Sequence, residues 1–202
     1  MRDRTPAPIP TALVVTGLLA ALLAQVVAFE VVRRVFVDSV RGQWLDAAAL
    51  TGHTIGEGYI EGLVDTVLNA VTVVSLAAAT VAIGFIALIR GRVLLAAAAG
   101  LLVVGANLTA QLLKAGIDRP ELGIDVIRAG AGNSLPSGHG TVGASVAVAL
   151  VLVLPPRLRG AAAVLGTGYA ALIGTATMSA GWHRPSDAVA SLLVVGAWAA
   201  LV

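Results

Sequence analysis

Three short polar clusters interrupt an otherwise apolar sequence, and each carries residue types suited to phosphate chemistry. They are Lys114-Ala-Gly-Ile-Asp-Arg119-Pro120, Pro136-Ser137-Gly138-His139 and His183-Arg184-Pro185-Ser186-Asp187. Lys114 and Arg119 bring fixed positive charge, and the planar fork of an Arg matches the oxygens of a phosphate monoester. Ser137 and the amides of Gly138 and His139 fall at an expected helix start, where unpaired N–H groups and the positive end of the dipole favour an anion. Gly138 has no Cβ, so a bound group can come close to the backbone. His183 and Asp187 are spaced i,i+4; on a helical turn they share a face, and the carboxylate can fix the imidazole tautomer and stabilise its cation. His183 is then a nucleophile with its orienter, and His139, on another helix, is free to protonate a leaving alkoxide. This division of labour between two histidines needs no metal. Asn107, Gln111 and Lys114 form one stripe leading to the first cluster, and that stripe is expected to face the bundle interior. Thr175, Thr177 and Ser179 are expected to supply supporting donors.

The elements that must position these clusters are membrane spans. Hydrophobic residues make up 58% of the chain and charged residues 12%, against about 25% charged in soluble domains, which excludes a water-soluble globule. The absence of Cys excludes a thiol nucleophile, a disulfide scaffold and Cys-ligated metal sites. A net charge of +2 is too small to point to nucleic acid. Thr11–Phe29, Thr66–Ile89, Val93–Leu113 and Gly160–Trp182 are free of charge over 19 to 24 residues, enough to cross a hydrocarbon core of ~30 Å. Gly140–Leu154 and Ala188–Val202 are shorter, at 15 residues each, and are lengthened by the polar residues before them. The apolar runs are continuous, which argues against a β-barrel. The expectation is an all-α polytopic membrane protein, a single domain over 1–202. Its six transmembrane helices, at about 11–32, 62–89, 93–114, 138–154, 160–182 and 185–202, form a bundle with the active site at one membrane face.

The first run is longer than the apolar core of a secretory signal and is read as an uncleaved span. Arg90-Gly-Arg92 and Pro155-Pro156-Arg157-Leu-Arg159 are short basic turns, the segment 37–60 suggests an interfacial helix at Asp46–Leu50, and 115–135 reads as a loop. With antiparallel neighbours, the end of span three, the start of span four, the end of span five and the start of span six share a face, so the three clusters can meet. Short basic loops belong in the cytoplasm, which puts that face outside. No internal repeat supports a transporter, and the spans carry no charge near their middles to support a channel.

The clusters resemble the three-part signature of the type 2 phosphatidic acid phosphatase superfamily: Lys-x6-Arg-Pro, then Pro-Ser-Gly-His, then Ser-Arg-x5-His-x3-Asp. Pro136-Ser137-Gly138-His139 matches in full, and His183 and Asp187 match the end of the third part. Two departures are visible: four residues rather than six separate Lys114 from Arg119, and Ala176-Thr177 stands where Ser-Arg is the pattern. The resemblance implies attack by His183 on phosphorus, a phosphohistidine oriented by Asp187, and protonation of the leaving group by His139. It also implies that Lys114, Arg119, Ser137 and Gly138 hold the phosphoryl oxygens, with Arg184 (Arg128 being the other candidate) replacing the missing guanidinium. No metal and no cofactor are implied. The expected function is a metal-independent hydrolase of phosphoric monoesters or acid anhydrides in lipids. Isoprenyl phosphate or pyrophosphate, a prenyl-linked sugar phosphate and a phosphatidate-type lipid all remain open. The alternative is a non-hydrolytic lipid-phosphate binding or transport protein that keeps the pocket. The expected partners are that lipid and the bilayer, with no nucleic acid and no oligomeric state specified. The Ala-rich, Arg-over-Lys composition resembles bacterial members, which implies a multi-pass protein of the inner (plasma) membrane with a cell-envelope role and an extracytoplasmic site.

Other polar residues have plainer expected roles. His53 is read as interfacial, Arg33, Arg34 and Arg41 as headgroup anchors, Glu30 and Asp65 as span-end residues, and Trp44, Trp182 and Trp198 as interface aromatics. Gly166 and Gly168 suggest close helix packing. Asp118 is expected to pair with Lys114 or Arg119, or to cap a turn.

Overall fold

A computed structural model of the chain describes residues 10–51, 62, 64, 66, 68, 73–124 and 132–202. Among these residues the regular structure is helical throughout. His53, Asp65, Arg128 and much of the first half of the expected span 62–89 lie outside the described residues.

Helix α1 (Thr11–Val32) has no buried residue, as suits an all-round apolar helix that packs along one side only and meets lipid on the others. It ends in a π-helical turn, Arg33–Val37. There Arg33 donates to Glu30 at 2.8 Å and to Asp38 at 2.7 Å, and Arg34 donates to Glu30 at 2.6 Å. Glu30 is therefore neutralised by its neighbours rather than capping a turn. Helix α2 (Val40–Thr51) is longer than the expected 46–50, because the Ser39 hydroxyl accepts the Gly42 N–H at 3.0 Å and starts the helix early.

The remaining helices are α3 (Val73–Ile89), α4 (Val93–Gly116), α5 (Gly138–Val153), α6 (Pro156–Ser179) and α7 (Pro185–Leu201). Three stretches are long and apolar enough to cross a membrane: Thr11–Val37, Val93–Gly116 and Pro156–Ser179. Ala77–Ile89, Gly138–Val153 and Pro185–Leu201 are shorter apolar helices, and they stand where the sequence put the other spans. Helix α6 begins at Pro156 instead of residue 160, since Pro at the first turn forfeits no hydrogen bond. It stops at Ser179 instead of 182 because Gly181 takes φ 70°, a conformation that breaks the helix at little cost to Gly.

Helix α5 is the centre of the bundle and touches α3, α4, α6 and α7, while α1 packs on α7. In lipid the packing depends on small residues that let backbones approach. Ile83, Ala87, Ala99, Leu102, Val103, Ala149 and Val153 form one core cluster, and Ala106, Ala144, Val194 and Val195 a second. Trp198, expected at the interface, instead packs against this core. A Cβ added to Gly105 would lie 2.5 Å from its ring, and its indole N–H donates to Thr109 Oγ1 at 3.0 Å. Gly166 is a true packing contact, its added Cβ falling 2.8 Å from Ala147, whereas Gly168 has nothing within 4 Å.

Candidate active site

The clusters converge at one end of the bundle, formed by the last turn of α4, the first turns of α5 and α7, and the turn after α6. Ser137 is the N-cap of α5: its Oγ accepts Gly140 N–H at 3.1 Å and its carbonyl accepts Thr141 N–H at 3.0 Å. Its hydroxyl is therefore engaged as a cap, and its own N–H is given to the Asp187 carbonyl at 3.0 Å, which ties the second cluster to the third. Gly138 and His139, the first two helical residues, keep amides that the helix itself cannot satisfy. Both residues are partly exposed.

His183 and Asp187 meet, although not as neighbours on one helix. His183 lies in the turn before α7, and Asp187 is in that helix's first turn. Asp187 Oδ2 accepts three bonds: from the N-cap amide of Arg184 at 2.9 Å, from the Ser134 hydroxyl at 2.7 Å and from His183 Nδ1 at 3.3 Å. With Nδ1 donating to the carboxylate, a neutral imidazole carries its lone pair on Nε2. The imidazole is positioned from the main chain as well, because Thr177, which occupies the place of the family's third-part Arg, accepts the His183 N–H through its carbonyl at 3.3 Å. The rings of His139 and His183 are 6.4 Å apart between centroids, and the exposed Trp182 ring stands 5.6 Å from that of His139. A reacting atom ~3–3.5 Å from an attacking nitrogen can therefore sit between the two rings.

Cationic side chains gather at this end of the bundle. Lys114, partly buried at the end of α4, is within electrostatic reach of both His139 and Asp187. Arg184 is 2% exposed; its Nη1 donates to Ser134 Oγ at 2.7 Å while its Nε is buried with no partner. Burial, and then the like charge of Arg119, pull the Arg184 guanidinium below its ordinary range. An anion placed there would remove that strain. Arg119 Nη2 donates to the Phe36 carbonyl at 3.0 Å and to Asp46 Oδ2 at 3.3 Å, and its Nη1 is also buried without a partner. Two buried guanidiniums are each left with an N–H that lacks an acceptor, the kind of acceptor a bound anion would supply.

Sequence reasoning missed several contributors. Ser134 bridges Arg184 and Asp187, Asn133 holds the approach to α5 by donating to Leu135 O at 2.9 Å, and Asp46 reaches in from α2. Ser134 and Asn133 belong to the polar loop just before Pro136-Ser137, so their position next to the cluster was a usable signal. Asp46 gave none. Asn107 does face inward, donating to Ser145 on α5 at 3.2 Å. The Thr175 and Thr177 hydroxyls instead bond carbonyls of their own helix, Ala171 at 3.0 Å and Gly174 at 2.9 Å, and support nothing in the site. Asp46, in place of Asp118, is the acidic partner of Arg119. Among the described residues no three His, Asp or Glu side chains converge as a metal site would require.

Residues 93–202 match the family model of the PAP2 superfamily, a stretch that holds all three clusters. The fold is similar to the crystal structure of a transmembrane PAP2-type phosphatidylglycerolphosphate phosphatase from Bacillus subtilis. The two share a TM-score of 0.74 and 17% identity over 90% of this chain and 93% of that one. No curated protein gives a significant match.

Proposed function

The chain belongs to the PAP2 superfamily, and from that membership and the site's geometry we propose that it is a membrane phosphatase that cleaves a lipid phosphate through a phosphohistidine. The observation that carries the reading is the pair of imidazoles 6.4 Å apart, one tied to a buried carboxylate, beside two guanidiniums with unpaired N–H groups. His183 Nε2 attacks phosphorus as the bond to the lipid oxygen breaks, and His139 gives its proton to that oxygen, releasing a lipid alcohol. Asp187 stabilises the imidazole as charge develops on it. Water then attacks phosphorus, its proton passes to His139, and the P–N bond breaks to release inorganic phosphate. Lys114, Arg119, Arg184 and the Gly138 and His139 amides hold the phosphoryl oxygens, where preorganised charge contributes most of the acceleration. Ser137 supports this cradle as the cap that aims those amides.

The lipid tail also has a place. A cavity of about 740 Å³ lies between α5, α6 and α7, and Gly140, Pro185, Ala188 and Ser191 line its end nearest the site. Its hydroxyls are satisfied within their own helices: Thr167 by Ala163, Thr175 by Ala171 and Ser191 by Ala188. From Gly140 to Val151 it runs about 16 Å at 1.5 Å per residue, roughly half the ~30 Å hydrocarbon thickness. An apolar slot of that kind accepts a hydrocarbon chain and offers nothing to a second headgroup. Filling it with Ala171→Trp is expected to lower the ratio of kcat/KM for a long-chain over a short-chain phosphate by about tenfold, the loss of ~1.4 kcal/mol of apolar contact. Leu165→Trp, away from the cavity on the same helix, should leave that ratio unchanged.

Arg184 stands in for the Arg missing at Thr177. Arg184→Lys keeps the charge but loses the fork and the Ser134 bond, and KM should rise about ten- to a hundredfold, the worth of one charge-assisted hydrogen bond at ~1.5–3 kcal/mol. An unchanged KM would assign the guanidinium role elsewhere.

The chain is read as one membrane domain. The basic turns carrying Arg90, Arg92, Arg157 and Arg159 lie at the opposite face from the site, which under the positive-inside rule supports a site on the outer side of a bacterial plasma membrane. The similar Bacillus structure is of a phosphatidylglycerolphosphate phosphatase, which favours a phosphatidyl-type headgroup for the first assay, with isoprenyl phosphates, pyrophosphates and prenyl-linked sugar phosphates beside it. Purified protein should release phosphate from at least one of these lipids, with vanadate inhibiting. Saturable binding of the same lipids with no turnover would favour a binding or transport role.

A further inference from the structure

Helix α2 lies outside the residues that match the family model, yet it places a buried carboxylate against two of the three clusters. Asp46 is 1% exposed. Its Oδ2 accepts Arg119 Nη2 at 3.3 Å and the Ser186 hydroxyl at 2.5 Å, and its Oδ1 accepts the Ser186 N–H at 3.3 Å. Ser186 sits between Pro185 and Asp187 in the first turn of α7, the turn that orients His183. Gln43, one helical turn earlier on α2, donates to the Val37 and Pro120 carbonyls at 2.7 and 2.9 Å, so the strand of chain carrying Arg119 is held to the same helix.

We infer that Asp46 is a positioning residue, a strap that holds the His183–Asp187 turn in register through Ser186 and keeps Arg119 beside a carboxylate whose charge competes with the phosphoryl group for that guanidinium. The inference rests on the phosphatase reading above, because it takes Arg119 as a phosphate ligand. The two halves of the strap act on different quantities. Holding Ser186 fixes the nucleophile's turn and so favours turnover. Holding Arg119 competes with the incoming anion and so weakens its binding.

Burial pushes the Asp46 carboxyl above its ordinary range, while the two Ser186 bonds and the Arg119 charge oppose the rise and nearby Asp187 adds to it. Such a group is sensitive to removal of its charge alone, which Asp46→Asn achieves at constant size.

The test measures kcat on a lipid phosphate and the inhibition constant of inorganic phosphate for the wild type, Asp46→Asn, Arg119→Gln and the double variant. Asp46→Asn is expected to tighten phosphate about tenfold by removing a facing negative charge, and to lower kcat by about tenfold as the turn loosens. A loss of fold or of packing would weaken both. In the Arg119→Gln background the tightening should shrink below about twofold, since it acts through Arg119. Ser186→Ala should lower kcat alone, and Asp46→Glu, with its charge restored, should return the inhibition constant towards wild type. These last two variants carry the test if Asp46→Asn does not fold. Equal effects of Asp46→Asn with and without Arg119, or phosphate binding that weakens along with kcat, would overturn the inference. A wild-type protein that neither turns over nor binds phosphate would instead overturn the phosphatase reading itself.

Discussion

His183→Ala is expected to lower phosphate release from a lipid phosphate by about 10⁵–10⁶-fold, the scale of removing a nucleophile from a site whose members act as a unit. The basis is positional. His183 is the imidazole whose Nδ1 is bound to a buried carboxylate, at 3.3 Å, and whose main-chain N–H is anchored on Thr177. His139 cannot take over, because it stands beside Trp182 on another helix and has no carboxylate of its own among its described contacts. Lys114, Arg119 and Arg184 are untouched by the substitution, so inorganic phosphate or vanadate should still bind within about threefold of wild type. Steady-state release at saturating lipid, with phosphate inhibition alongside it, separates the two quantities. A His183→Ala protein that retains a tenth of wild-type turnover would remove the nucleophile assignment.

The second large effect belongs to Asp187. Asp187→Asn keeps the size of the side chain, and an amide oxygen in the place of Oδ2 can still accept the Arg184 N–H. It loses the charge that faces the imidazole, and because a single oxygen of Asp187 meets both His183 Nδ1 and the Arg184 N–H, an Asn that turns its N–H₂ towards the imidazole forces the wrong tautomer and gives up the cap. By analogy with the same change behind a catalytic imidazole elsewhere, kcat should fall about 10⁴-fold. KM should move little, because Asp187 faces the histidine and the Ser134 hydroxyl, away from the phosphoryl oxygens. A matching loss in KM with kcat preserved would show that Asp187 holds the pocket together without tuning His183.

The convergence of these side chains was legible in the sequence because lipid leaves few uses for polar residues. His139, His183 and Asp187 stand at the ends of apolar runs, and antiparallel spans bring such ends together whatever the lengths between. The helices were legible for the same reason, with boundaries displaced where local geometry prevailed: Pro156 starts α6 early and Gly181 ends it early. The rest is tertiary. Asp46 meets Arg119 across 73 residues and Ser186 across 140, and no periodicity in the sequence encodes such a meeting. Ser137 was expected to hold phosphate, and the role of its hydroxyl as the cap of α5 was not read from the sequence. The His183–Asp187 spacing gave the right contact from the wrong element, because a cap turn and a helical turn both bring residues four apart together. Trp198 looked like an interface aromatic because a sequence does not display that Gly105 faces it with room for a ring.

The most direct test of the central claim, that one phosphoryl group lies between the two imidazoles and passes through His183, is to trap it there. Enzyme mixed with a phosphate-labelled lipid, quenched in alkali to preserve a P–N bond and mapped by peptide mass spectrometry, should carry label on the His183 peptide. The label should be absent in His183→Ala and should build up in His139→Gln when the lipid carries a good leaving group, since that lipid needs no acid to depart while the hydrolysis step has lost its base. Turnover with no label on any residue, or label that persists in His183→Ala, would contradict it.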